Sequence, residues 1–372
     1  MKRNSNLFSP ASQSGFSIVE LMIALVLGLV LMGGVIQVFI SSKRAYNLNE
    51  EMSWIQENAR FAVGFMAEDL RMAGYYGCAS RSSSVANVLD GADSSWVTDF
   101  GKGLYGYDGD DADFPDEFPQ PTTDSLPDTM PLTDVFTIHK ADPDNSFQVT
   151  AHNPTSAVID IQGNHPYPTG TILIVSDCHH SAVFQTTGNG TNKVNHNKGN
   201  SVSPGNCTKG LGLPVPDPCT ANGTGYTYKE DAFIMRAIGH AYYIDIASNG
   251  IPSLFRESLD EGGVTTTAEE MVQGVENMQI QYGVDTSVAT VSPDFIPDRY
   301  KDASEVRVEP ANDIDEWKNG VVTARITMLL RSLTEVASEP QPFTYMGTTY
   351  TPTDNYVRRV FSTTVKLRNR GI

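Results

Sequence analysis

The sequence predicts an α+β protein in which a long N-terminal helix packs on an antiparallel, β-sheet-rich globular domain. Three observations predict it. From Leu21 to Ile36 every residue is apolar or glycine. No proline interrupts the chain from Phe16 to Ala73. From Asp134 onward, short β-branched and aromatic runs alternate with turn residues, which is the pattern of strands in a sheet-rich domain.

The apolar run resumes after Gln37 with Val38, Phe39 and Ile40. Counted from Phe16, it exceeds the roughly 20 residues that cross a bilayer core. An ordinary secretory signal places its basic residues against the apolar run and follows that run with a small-residue cleavage site. Here Lys2 and Arg3 sit far upstream. Loop charge does not orient the span, because Lys43 and Arg44 balance Lys2 and Arg3. The four cysteines, Cys78, Cys178, Cys207 and Cys219, all follow the span, and an even number in an exported region favours two disulfides in an oxidising compartment.

The junction reads Ser14-Gly15-Phe16-Ser17-Ile18-Val19-Glu20-Leu21-Met22, with a carboxylate inside the apolar stretch. A charge near mid-bilayer costs roughly 2.5 to 3.5 kcal/mol on insertion scales, so Glu20 calls for a partner. Cleavage after Gly15 creates an α-amine at Phe16, about one helical turn from Glu20. The helix start also favours a negative charge, by roughly 0.3 to 1 kcal/mol. The competing reading is a single acid reaching for the membrane edge.

Gly15-Phe16-Ser17-Ile18-Val19-Glu20-Leu21 resembles the class III signal of type IV pilins and type II secretion pseudopilins. The resemblance implies cleavage after Gly15 by a prepilin peptidase, N-methylation of Phe16, and an inner-membrane anchor that later packs into a filament core. It also implies that Glu20 neutralises the amine of a neighbouring subunit during assembly. The expected divisions are 1–15 as leader, 16–40 as transmembrane and filament-core helix, 41–74 as amphipathic helix, 75–133 as a loop-rich insertion, and 134–372 as the β-rich domain.

Beyond Ile40, Met52, Ile55, Ala59, Val63, Met66, Leu70 and Ala73 recur at three- and four-residue steps, and Trp54, Phe61 and Phe65 widen that stripe. Gly74 is the expected stop. The whole helix would measure roughly 87 Å at about 1.5 Å per residue. Gly28, Gly33 and Gly34 fit either close packing or local unwinding in a filament, and equally fit an ordinary membrane helix.

The segments from Gln56 to Val63 and Asp69 to Cys78, the block Gly274 to Asp285, Trp317 with Val321 to Ser332, and the end from Arg359 to Asn369 are similar to the PilW group of minor pilins. That similarity implies a minor pilin of type IV pilus assembly, acting in initiation or at the tip, with other minor pilins and the major pilin as partners. The alternatives are a type II secretion pseudopilin and a membrane-anchored adhesin or binding protein. The globular domain is expected in the periplasm and then on the extracellular pilus.

Expected strands are Val135–His139, Phe147–Ala151, Ala157–Ile161, Thr171–Ser176, Ala182–Thr186, Ala232–Ile238, Ala241–Ile246, Met278–Val284, Val321–Leu330 and Tyr356–Leu367. A short helix is expected at Ala268–Gln273, and Thr187–Lys198 reads as a polar loop without regular structure. Four cysteines allow three pairings. The shortest closure joins Cys207 to Cys219, which leaves Cys78 for Cys178.

The chain carries 26 basic against 44 acidic residues, a net of −18, which disfavours nucleic acid as a partner. The tract Asp108 to Asp113 fails the EF-hand pattern, with Asp113 where the turn needs glycine. Cys178-His179-His180 with Cys207 and Cys219 lacks the close cysteine pairs of structural zinc modules. Gly101-Lys102-Gly103-Leu104-Tyr105-Gly106 fits the dinucleotide glycine spacing, but no helix pattern follows it. No phosphate loop, zinc-protease helix or nucleophile elbow occurs. The expectation is a protein with no metal, cofactor or enzymatic activity.

Overall fold

The computed structural model describes residues 15, 17–78, 85–92, 94–112, 114–121, 126–127, 129–199, 201–289, 294–306, 308–309 and 314–370. Residues 1–14 of the expected leader, Phe16, where the expected cut would place the new N-terminus, and Asp113 lie outside the described residues. The chain divides into two compact units, residues 1–51 and 52–372.

The helix α1 runs from Ile18 to Met72 without interruption. In the first unit its large apolar residues from Ile18 to Phe39 are all more than half exposed. An 18-residue window of α1 is long and apolar enough to cross a membrane.

In the second unit, α1 buries Ile55, Ala59, Ala62, Met66, Ala67, Asp69 and Leu70. The expected stripe is largely the buried face. Phe61 and Phe65 are a correction: they are 52% and 40% exposed, because alanines 59, 62 and 67 supply the close-packing surface and turn the larger rings outward. Gly74 ends the helix in the left-handed region, φ 72°, and its N–H donates to the His139 carbonyl at 2.9 Å.

The larger sheet contains β1 (Val85–Asn87), β2 (Leu104–Tyr107), β3 (Val135–Asn153), β4 (Val158–Ile161), β5 (Ile172–Ser176), β6 (Ser181–Gln185), β7 (Gly188–Gly190), β8 (Lys193–Asn195), β9 (Phe233–Ile246), β10 (Pro252–Leu259) and β11 (Thr266–Gln273). Its central order is β1-β6-β5-β9-β3-β4-β8-β7, with β10 and β11 extending from β9 and β2 lying on β3. All pairings are antiparallel except β1 with β6.

A smaller sheet follows: β12 (Val275–Val284), β13 (Arg299–Lys301), β14 (Val308–Glu309), β15 (Ile314–Asp315), β16 (Val321–Arg331), β17 (Phe343–Tyr345), β18 (Thr348–Tyr350) and β19 (Arg358–Lys366). Four of these form the sheet β13-β12-β16-β19, while β14–β15 and β17–β18 are separate two-stranded ribbons. One large core joins the C-terminal half of α1 to Met278, Ile280, Tyr282, Ile326, Met328 and Val365 of this sheet, and to Phe136, Ile138 and Tyr242 of the larger one. A second core, containing Ile159, Leu173, Phe184 and Ile234, lies inside the larger sheet.

Two local expectations fail. Ala268–Gln273 is strand, not helix: β11 pairs with β10 from Leu259–Thr266 to Ser253–Gln273, and that pairing overrides the helix preference of Ala268, Glu269 and Glu270. Thr187–Lys198 is not structureless, since β7 and β8 extend the edge of β4. Val194, fully buried, is the apolar anchor that makes the extension worthwhile.

Candidate functional site

Ser17 caps α1, its hydroxyl accepting from the Val19 N–H at 3.3 Å, and its carbonyl accepting from the Leu21 N–H at 3.1 Å. Glu20 is thereby the third helical residue, the acid of the first turn. The Ser-x-x-Glu spacing is that of a capping box, but the Ser17 hydroxyl takes the Val19 N–H and not that of Glu20. Glu20 and Gly15 are both exposed, and Glu20 makes no ion pair among the described residues. Ala24, Gly28 and Met32 continue the same face in four-residue steps.

At the other end of α1, a polar contact fixes the helix to the larger sheet. Asp69 is 5% exposed. Its carboxylate accepts from Lys140 Nζ and from Tyr242 Oη, each at 2.6 Å, and lies 2.6 Å from His240 Nδ1. Burial opposes the charge, but the hydrogen bond and charge of His240, with those of Lys140, hold the carboxyl well below its usual range. At the C-terminal end of the chain, Asn369 donates to the Met72 and Ala73 carbonyls at 3.3 and 3.4 Å, capping orphan acceptors at the end of α1.

The smaller sheet has its own buried charge centre. Glu276 on β12 accepts from Arg358 Nε at 2.6 Å and from Arg331 Nη1 at 3.2 Å, and Arg358 also donates to Asp354 at 2.6 and 2.7 Å. Three consecutive strands are thus tied together at one level. Tyr282, fully buried, packs edge-on to Trp317 at 4.7 Å, and Gly106 on β2 is the close approach that leaves room for its hydroxyl. Gly106, the last glycine of the Gly101 to Gly106 run, therefore serves strand packing.

The cysteines form two disulfides, Cys78–Cys178 and Cys207–Cys219. The first ties the chain just beyond α1 to the end of β5. Asp177 and His180 beside it are committed elsewhere: Asp177 accepts from the backbone N–H groups of His179 and His180 and from Tyr226, and His180 Nε2 lies 2.7 Å from the Leu211 carbonyl.

Comparison with known families matches two parts of the chain. Residues 10–36 match the prokaryotic N-terminal methylation motif. Residues 241–369 match the type IV pilus-assembly protein W family, a stretch that runs from the middle of β9 through the whole smaller sheet to the asparagine that caps α1. Both matches support a type IV pilus minor pilin of the PilW group. Neither a curated protein nor a solved structure matches the chain.

The matches support a part for this chain in type IV pilus assembly, and the assembly family implies interaction with other pilus components. Its apolar helix and methylation motif fit membrane anchoring and association with the pilus. The families that match are structural rather than enzymatic. Among the described residues no three histidine, cysteine or acidic side chains are grouped to hold a metal. The sequence reading picked out Glu20 and the cysteines but not Asp69 or Glu276, which sit among residues that read as ordinary surface charge until the fold supplies their partners.

Proposed function

We propose that this minor pilin is cut after Gly15 by a prepilin peptidase, N-methylated at Phe16, and held in the inner membrane with its β-rich domain in the periplasm. From there it enters an initiation or tip complex with other minor pilins, and the major pilin follows. Glu20 neutralises the Phe16 amine of a neighbouring subunit on entry.

The observation that carries this reading is Glu20 itself. It is the acid of the first turn of an exposed apolar helix and has no ion-pair partner among the described residues. A carboxylate in lipid needs a partner, and a neighbour's terminal amine supplies one. The size of the second unit, residues 52–372, supports a terminal position over that of a repeating subunit. The two disulfides suit an oxidising periplasm.

Mass spectrometry of the mature N-terminus, from membranes and from sheared pili, tests the processing. The expected species begins with methylated Phe16, and any other N-terminus sinks the claim. Glu20→Ala should be cleaved as efficiently as the wild type and fail to enter pili. Normal entry of that variant removes the charge-neutralisation step.

A further inference from the structure

We propose that the open edge of β19 is a docking site for an extended, acidic strand of another pilus subunit, an inference that rests on the assembly role above and names the surface that serves it. β19 is the terminal strand of the smaller sheet, paired on one side only, with β16. Its register runs from Thr323–Lys366 to Arg331–Arg358 without a shift.

The register decides which main-chain groups are free. Just beyond the two ends of the pairing, Leu367 N donates to Val322 O at 3.0 Å and Ser332 N to Val357 O at 2.9 Å. In an antiparallel pair hydrogen-bonded residues alternate with residues that point away. Odd-numbered residues of β19 therefore hold β16, and the N–H and C=O groups of Val360, Ser362 and Thr364 point to the open side. Among the described residues nothing meets them. The carbonyl of Arg358, at the start of the strand, is already taken by the Arg359 guanidinium at 2.8 Å.

The side chains agree with the backbone. Val360 is 37% exposed, and Ser362 and Thr364 are exposed, whereas Phe361 packs on the main core. Val-Phe-Ser-Thr-Thr-Val is strongly β-forming, with no proline or bulge to blunt the edge. β11, the outer strand beyond β10, carries Glu269 and Glu270 in its exposed run instead.

Charge selects the occupant. No acidic residue occurs after Asp354, although the whole chain is strongly acidic, and exposed Arg359 and Lys366 bracket the free stretch. A second copy laid along β19 would set these bases against the same bases. An acidic strand gains main-chain hydrogen bonds along the edge and a charge partner at each end.

The test uses the full chain in piliated cells, with a photo-cross-linking residue in place of Thr364. The expected adduct joins β19 to a strand of another pilus subunit with acidic residues flanking the contact, mapped by peptide mass spectrometry. An adduct to a second copy of this chain, or none, overturns the inference. Ser362→Pro removes an outward N–H and no ladder bond, a position where an edge strand tolerates proline. It should unfold at the wild-type midpoint yet lower piliation about tenfold or more. If it misfolds, Arg359→Glu with Lys366→Glu leaves the main chain intact and must lose the adduct; retention overturns the proposal. Deletion of the whole chain separates the two claims. Normal piliation in the deletion strain ends the assembly role, whereas lost piliation there with normal piliation by Ser362→Pro ends only the docking edge.

Discussion

Asp69 of α1 and His240 of β9 meet at 2.6 Å across 171 residues of sequence. Lys140 and Tyr242 converge on the same carboxylate. A helix that buries mostly alanine and single aliphatic side chains can slide or rotate on a sheet at little cost in area. A buried carboxylate with three fixed donors cannot, so Asp69 sets the register of α1 against the larger sheet.

Asp69→Ala should destabilise the domain by about 3 to 5 kcal/mol, the cost of stranding a buried partner charge. Because the Asp69 carboxyl lies below its unfolded value, its contribution is complete above the ordinary carboxylate range and is lost as pH falls through it. Urea denaturation should show the gap between wild type and variant shrinking as pH drops below about 4. A pH-independent gap would mean that Asp69 acts by packing, not charge.

The buried histidines give a separate acid sensitivity. Burial pushes His139 and His152 down to about 4 and His196 to about 3. Their folded values lie below the unfolded one, so their stabilising effect is full above about pH 6.5 and falls as the unfolded chain takes up protons that the native state refuses. Each adds a slope of about 1.4 kcal/mol per pH unit between the two values at most. Chemical denaturation at pH 7 and pH 5 should show the native state clearly weaker at pH 5. His139→Phe, which keeps the ring contact with Phe100, should lessen that dependence and leave the part due to His152 and His196, and an unchanged slope refutes the assignment to His139.

The anchor helix was legible because the cost of a charge or turn in lipid leaves an unmistakable apolar run, and most strands were legible because one buried face imposes alternation. The contacts that orient α1 were not. Asp69 sits among Glu68 and Arg71 as one more charge, and its partners lie 71 to 173 residues away. Phe61 and Phe65 fit the apolar spacing as well as the alanines do, and only the closeness of the sheet decides that small residues face inward. β11 carries helix formers, and its partner β10 opens on Pro252, so no local signal in either segment marks their pairing.

The two disulfides should contribute unequally. In the chain-entropy account a bridge gains with the length of loop it closes. Cys78–Cys178 spans 100 residues and Cys207–Cys219 spans 12, corresponding to about 4.7 and about 3 kcal/mol. The Cys78→Ser, Cys178→Ser pair should therefore lower the denaturation midpoint more than the Cys207→Ser, Cys219→Ser pair. The reverse order would place the main effect in native-state packing around the 207–219 loop.

Gly274, between β11 and β12, is held in the left-handed region at φ 79°. A Cβ there would lie 2.8 Å from the Arg331 carbonyl and 2.9 Å from the Trp54 ring on α1. Gly274→Ala thus meets two separable penalties: a backbone one, strain of about 1 to 3 kcal/mol together with the contact on the Arg331 carbonyl, and a clash that must displace the indole. Trp54→Leu removes the second and leaves the first. Thermal unfolding should show Gly274→Ala costing less in the Trp54→Leu background than in the wild type, with a residual loss in both. Equal losses would assign the whole effect to the backbone, and a vanishing loss would assign it to the helix contact.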